Sequence, residues 1–182
     1  MKYPKEVVLK NCTEASIRPL GPGDEQALRD FYSQVSDEDR WYMRFDVMDP
    51  AVIRGWVEGK EDVYSIVAEC GSQIIAHARL HTHRFGCYQH QGRMRIIVLP
   101  EFRQKRLGSW MLLDMIHLAM EKGLRELRSD FVVGVEDAAI ETAYKLDFFK
   151  KAVLEDFVMD PQGQLHHLLI MTKHLHKDWG DF

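Results

Sequence analysis

Long apolar runs are missing from this chain. None approaches the ~20 residues needed to span a bilayer, so no membrane partner is expected. The opening Met1-Lys2-Tyr3-Pro4-Lys5-Glu6 lacks the apolar centre of a secretory leader. Cysteine is scarce: Cys12, Cys70 and Cys87 are odd in number and far apart. That excludes a disulfide framework and a zinc motif, and it suits reduced thiols in a cytoplasmic protein. Positive charge is in deficit, with 24 Lys and Arg against 28 Asp and Glu for a net −4. Nucleic acid is therefore not expected as a bulk electrostatic partner. Internal repeats, low-complexity tracts and an evident linker are also lacking. What remains is 182 residues of ordinary apolar content, 46%, which suits one domain over 1–182 with a proper core.

Local signals lay out that domain. Glu6–Lys10 and Ala15–Leu20 flank Asn11-Cys12-Thr13-Glu14 as an opening hairpin over about 6–20. Gly21-Pro22-Gly23-Asp24 starts a helix with Ala27, Leu28, Phe31, Tyr32 and Val35 on one face. Ser36 with Asp39 predicts a second helix cap, and Asp49-Pro50 a third, with Val52, Ile53, Trp56 and Val57 lining the helix that follows. Strands are expected at Val63–Cys70 and Ile74–His81 around Gly71-Ser72-Gln73, and at Arg93–Val98, Leu127–Val133, Ala152–Val158 and Leu165–Thr172. The helix after Gly108 should stop at Gly123, and another should cover Ala138–Leu146. Residues after about 174 form a tail. The order predicts an α+β domain with a mixed, mostly antiparallel central sheet flanked by helices.

The most chemically informative stretch is Ile96–Ser109. An apolar run ends at Pro100, a loop carries Arg103, Lys105 and Arg106, and Gly108-Ser109 lead into an apolar helix. The first N–H groups of a helix lack internal partners and carry partial positive charge, so a strand, a basic loop and a helix start together suit phosphate. The stretch resembles motif A of the GNAT superfamily of acetyl-CoA-dependent N-acyltransferases, Arg/Gln-x-x-Gly-x-Gly/Ala. Arg103 fills the first position, Gly108 the last, and Arg106 replaces the middle glycine. Ala139-Ile140-Glu141-Thr142-Ala143-Tyr144-Lys145-Leu146-Asp147-Phe148 is similar to the second signature, Ala-Ile-x-x-Tyr-x-Lys-Leu-Gly-Phe. Ile17-Arg18-Pro19-Leu20 followed by Asp24-Glu25 is also typical, so the resemblance covers roughly residues 6 to 173. The opening hairpin and Asp39–Phe45 further resemble acetyltransferase domains of bacterial protein-lysine acetyltransferases.

The resemblance implies acetyl-CoA as co-substrate and a primary amine, on a small molecule or a protein lysine, as acceptor; a homodimer is compatible with it. It assigns pantetheine and oxyanion contacts to the backbone of Ile96, Ile97 and Val98. The pyrophosphate falls to Arg103, Gln104, Lys105, Arg106, Leu107, Gly108 and Ser109. An amine of pKa ~10.4 must lose a proton before it attacks, whereas a thiol of pKa ~8.5 leaves more readily. Related lysine acetyltransferase domains carry a glutamate where this chain has Arg93, which cannot act as a base at neutral pH. The family's tyrosine falls at Ala143, and Tyr144 follows one residue late, a turn of ~100° on a helix.

Candidate proton carriers are therefore Glu136 or the adjacent Asp137, His81 and Tyr144. Glu136 and Asp137 also read as helix-start carboxylates that favour the dipole. His77, Arg79, His81 and His83 alternate along one expected strand face; His81 and His83 could supply metal ligands or a base, but the histidines read as solvated or cleft-lining groups rather than metal ligands. The histidines at 166, 167, 174 and 176 read the same way. Leu112–Met120 reads as core, and Trp41, Tyr42, Met43 and Phe45 either wall an acceptor groove or pack inside. The alternative to an enzyme is a non-catalytic module that binds acyl-CoA as a sensor or partner.

Overall fold

The computed structural model describes residues 3–10, 13–59 and 62–175. Strands β1 (Lys5–Val8) and β2 (Glu14–Pro19) form the opening hairpin, in register at Val7↔Ala15. Helix α1 (Glu25–Ser33) buries Leu28, Phe31 and Tyr32, the face its spacing predicts. Short α2 (Asp37–Trp41) starts where the Ser36 side chain accepts the Asp39 N–H. In α3 (Pro50–Val57) the Asp49 side chain accepts the Ala51 N–H, with Pro50 where its missing N–H costs nothing. Strands β3 (Val63–Cys70) and β4 (Gln73–His81) meet at Gly71, whose φ of +61° is one glycine accepts freely.

Next come β5 (Gln91–Val98), α4 (Leu107–Glu121), β6 (Glu126–Val132), α5 (Asp137–Lys145), β7 (Phe149–Met159) and β8 (Leu165–His174). Helix α4 ends as the sequence predicts, with Gly123 at φ +74°. The Gly123 and Leu124 N–H groups there cap the carbonyls of Met120 and Ala119. The strands follow the hydrogen-bonded order β1-β2-β3-β4-β5-β6-β8-β7. β5 and β6 run parallel, whereas β1–β2, β2–β3, β6–β8 and β7–β8 are antiparallel, giving the expected mixed α+β sheet.

The chain packs as two compact units. In the first, Met1–Arg79 with Ile96–Leu112, the core joins Leu28, Phe31, Tyr32, Ile53, Trp56, Val67, Ile74, Ile97 and Leu99. Met43 packs half-buried against it, while Trp41 and Phe45 are 51% and 43% exposed, so the interior reading fails for those two. In the second unit, Leu80–Arg95 with Leu113–Phe182, buried groups include Met115, Leu127, Phe131, Ala143, Phe148 and Met171. A Cβ on Gly92 would lie 2.6 Å and 2.7 Å from methyl groups of Leu124 and Leu80, so only glycine fits there without displacing them. His83 departs from its expected place: β4 stops at His81, so His83 does not share the strand face. Among the described residues no helix is long and apolar enough to cross a membrane.

Candidate active site

All the residues expected to hold the co-substrate, Ile96–Val98 and Arg103–Ser109, lie in the first unit. β5 pairs with β6 only over Gln91–Arg93 against Glu126–Arg128, so Ile96–Val98 lie past the end of that ladder. One turn of 3-10 helix, Pro100–Phe102, carries the chain off the strand. Arg103 then folds back: its Nε donates to the Val98 carbonyl at 2.9 Å, and its Nη2 to Asp39 Oδ2 at 2.7 Å. The loop is further pinned by the Lys10 N–H on the Lys105 carbonyl at 3.2 Å, and Lys105 Nζ sits 5.4 Å from the Phe102 ring centre.

Two non-glycine residues of this loop have left-handed backbones, Gln104 at φ +58° and Arg106 at φ +70°. Arg106 thus keeps the conformation of the glycine it replaces. Its carbonyl accepts the first helical bond, from the Trp110 N–H at 3.1 Å, so α4 begins at Leu107 and takes in Gly108 instead of starting after it. The N–H groups at the start of a helix have no partner within it, which here means Arg106, Leu107, Gly108 and Ser109. Leu107 is buried and anchors the turn, and a Cβ on Gly108 would meet open space. Arg103 and Arg106 are exposed. Backbone donors, a helix dipole and nearby cations form a donor set whose chemistry fits a pyrophosphate.

The proton-path candidates lie in the second unit. Glu136 is the residue before α5, and its carboxylate is engaged. Oε1 lies 2.8 Å from Arg95 Nη2, while Oε2 accepts from Arg95 Nη1 at 3.2 Å and from the Val132 N–H at 2.9 Å. Asp137 Oδ1 accepts the Gly134 N–H at 2.9 Å. Tyr144 is half-exposed, whereas Ala143 beside it is fully buried, so the two face different surroundings on α5. His81 ends β4, half-buried.

Where the resemblance expected a glutamate, Arg93 Nη2 sits 2.9 Å from Asp130 Oδ2, and Arg128 Nε donates to Asp130 Oδ1 at 2.7 Å. Asp130 is 7% exposed. Sequence reasoning passed over Asp130, Arg128 and Arg95. The available signal was two charged i, i+2 pairs, Arg93/Arg95 and Arg128/Asp130, on consecutive strands.

In the first unit, His77 is buried instead of solvated, and Arg79 is buried with it. Tyr32 Oη and His77 Nδ1 are 2.8 Å apart, and the Arg79 guanidinium lies 3.8 Å from the Trp56 ring centre. His166 pairs with Asp160 at 3.0 Å, His167 with Asp156 at 3.4 Å and His174 with Glu126 at 3.8 Å; His176 and Cys12 lie outside the described residues. Among the described residues no group of three or more His, Cys, Asp or Glu could hold a metal ion.

The sequence matches the model of the Acetyltransferase (GNAT) family over residues 25–148, from α1 through the loop and α4 to the end of the second signature. The chain belongs to the GNAT acetyltransferase family. As a member it is an N-acetyltransferase with acetyl-CoA as co-substrate. Comparison with curated proteins gives no match in sequence. Solved structures share the fold. The GNAT domain of S. lividans PAT superposes with a TM-score of 0.76 at 21% identity, over 96% of this chain and 100% of that one. The ribosomal-protein-alanine N-acetyltransferase of Brucella melitensis gives 0.77 at 22% identity, over 87% and 99%. The yncA structure from Salmonella typhimurium, with its cofactor acetyl-CoA, gives 0.77 at 18%, over 92% and 98%. In this GNAT acetyltransferase Gly108 keeps one of the three glycine positions of the family's signatures, and Arg106 and Asp147 replace the other two, both with left-handed backbones.

Proposed function

We propose that this chain moves the acetyl group of acetyl-CoA to the amine of a small molecule or a protein lysine, with the proton leaving through water. The observation that carries the reading is the start of α4, where Arg106 takes a glycine-like backbone and supplies the carbonyl of the first helical bond. The N–H groups of Arg106–Ser109 then receive the pyrophosphate, with Arg103, Gln104 and Lys105 flanking it. The backbone of Ile96, Ile97 and Val98 takes the pantetheine arm and polarises the thioester carbonyl. The amine nitrogen attacks the carbonyl carbon, the C–N bond forms, the C–S bond breaks, and CoA leaves as the thiol after gaining a proton. Holding the two reactants together supplies much of the rate.

Glu136 is cast as the residue that fixes the start of α5, because its carboxylate already accepts from Arg95 and Val132. His81 and Tyr144 remain the side chains proposed to assist proton movement. The free thiols Cys70 and Cys87 support a reducing, cytoplasmic setting.

The test is release of CoA thiol from acetyl-CoA in the presence of polyamines, amino acids, aminoglycosides or lysine peptides. One of these classes should raise release above hydrolysis. Binding of acetyl-CoA without turnover on any amine would instead favour an acyl-CoA-binding module.

A further inference from the structure

The loop before α4 carries three cations, and one of them already holds a carboxylate. Arg103 Nη2 lies 2.7 Å from Asp39 Oδ2, with the two side chains 43% and 31% exposed. Among the described residues Lys105 and Arg106 pair with no carboxylate. Asp39 reaches the loop from α2, whose first turn is Asp37-Glu38-Asp39. Asp37 is engaged elsewhere, by Arg40.

Neither partner needs the pair to hold its place. Arg103 Nε donates to the Val98 carbonyl at 2.9 Å, which fixes the arginine at the end of β5. Asp39 is fixed through its backbone. Its N–H donates to Ser36 Oγ at 3.1 Å, and the Arg40 N–H donates to the Ser36 carbonyl at 2.9 Å. Arg40 Nη1 then ties α2 to the Tyr32 carbonyl at 3.0 Å. What the pair does is offset the charge of the first cation in a loop suited to phosphate.

We propose that Asp39 is a built-in competitor of the co-substrate's phosphates for Arg103, and that it sets how tightly acetyl-CoA binds. The inference rests on acetyl-CoA being the ligand of this loop. A guanidinium offers its N–H donors in a planar fork that suits a phosphate, but here part of the fork faces Asp39. If Asp39 stays when the pyrophosphate arrives, two like charges flank one guanidinium and repel. If it lets go, the ion pair is lost first. Both routes subtract from affinity. The loss is small, because a half-exposed pair is weak and screened by salt. Removing the Asp39 charge therefore tightens binding. A residue that only positioned Arg103 would give the opposite sign.

The experiment is isothermal titration of acetyl-CoA into the full chain, the variants D39N and R103Q, and the double variant D39N/R103Q. D39N keeps the Ser36 cap, so its urea midpoint should stay close to that of the wild type. At low salt D39N should bind acetyl-CoA about two- to fivefold more tightly than the wild type. The gain should shrink in about 1 M salt, where charges are screened beyond ~3 Å. With Arg103 already replaced, the same substitution should lose most of its effect, which ties the gain to this pair and not to general charge. The proposal is overturned if D39N binds no more tightly than the wild type, or if it gains as much in the R103Q background as alone. Absence of acetyl-CoA binding in the wild type and all variants would overturn the co-substrate reading of the loop, and this inference with it.

Discussion

Arg106 and Asp147 share a backbone conformation that glycine ordinarily supplies, φ +70° in the loop before α4 and φ +60° after α5. At Asp147 the reason is visible. The Asp147 and Phe148 N–H groups cap the carbonyls of Tyr144 and Ala143, an end geometry that needs a left-handed residue. A side chain in that region is strained by roughly 1–2 kcal/mol, but glycine gives part of the gain back through a freer unfolded chain. Arg106→Gly and Asp147→Gly should each leave the protein as stable as before or up to about 1 kcal/mol more stable, read as the midpoint of urea unfolding. Arg106→Gly should also keep acetyl-CoA affinity within about tenfold, ~1.4 kcal/mol, because the N–H it presents is unchanged.

Glu136→Gln separates a structural carboxylate from a catalytic one. Removing a true general base lowers the rate by ~10²–10⁴. With Glu136 held by Arg95 and the Val132 N–H, the substitution should leave kcat within about tenfold and lower the unfolding midpoint instead. His81→Ala, assayed across pH on the same acceptor, completes the comparison. If both variants keep the wild-type pH profile, water carries the proton.

Acid should loosen the opening sheet through Arg18. Its guanidinium on β2 donates to Asp24 at 2.7 Å and 2.8 Å, and also bonds Glu69 on β3. That guanidinium, with help from the Gly21 N–H, holds the Asp24 carboxyl below the usual carboxylate range. A carboxyl depressed in the folded state adds stability that is full above its unfolded value of ~3.9 and disappears as pH falls through the lower folded value. Stability of the wild type should therefore fall below about pH 4. Arg18→Met should flatten that acid limb and cost about 1–2 kcal/mol at neutral pH, since these groups are partly solvated.

Features that depend on neighbours in sequence were legible. The hairpin, the Ser36 and Asp49 caps, Pro50 and the Gly123 stop are each set by a few adjacent residues. The same holds for the strand, loop and helix start from Ile96 to Ser109. Features that depend on pairing across the sheet were not. Asp130 reads as one charge on a strand until β5 and β6 run parallel and bring Arg93 against it. His77 reads as solvated or cleft-lining until α1 supplies Tyr32 to bond it and α3 supplies Trp56 to pack on it. Strand β5 begins two residues early because the Gln91 N–H bonds the Tyr88 carbonyl, a turn with no glycine or proline to announce it. The bulges of β7 blur its period-two pattern, so its ends extend past Ala152–Val158 to Phe149 and Met159.

Backbone hydrogen–deuterium exchange with and without saturating acetyl-CoA tests the central claim most directly, because it reports binding and its place together. A ligand at a hundredfold excess over its dissociation constant adds ~2.7 kcal/mol to global stability, and amides that bond phosphate gain local protection beyond that. Protection concentrated at Gln104–Ser109 and the end of β5 is the expected result. No change in exchange at millimolar acetyl-CoA, or protection confined to other segments, would contradict the account.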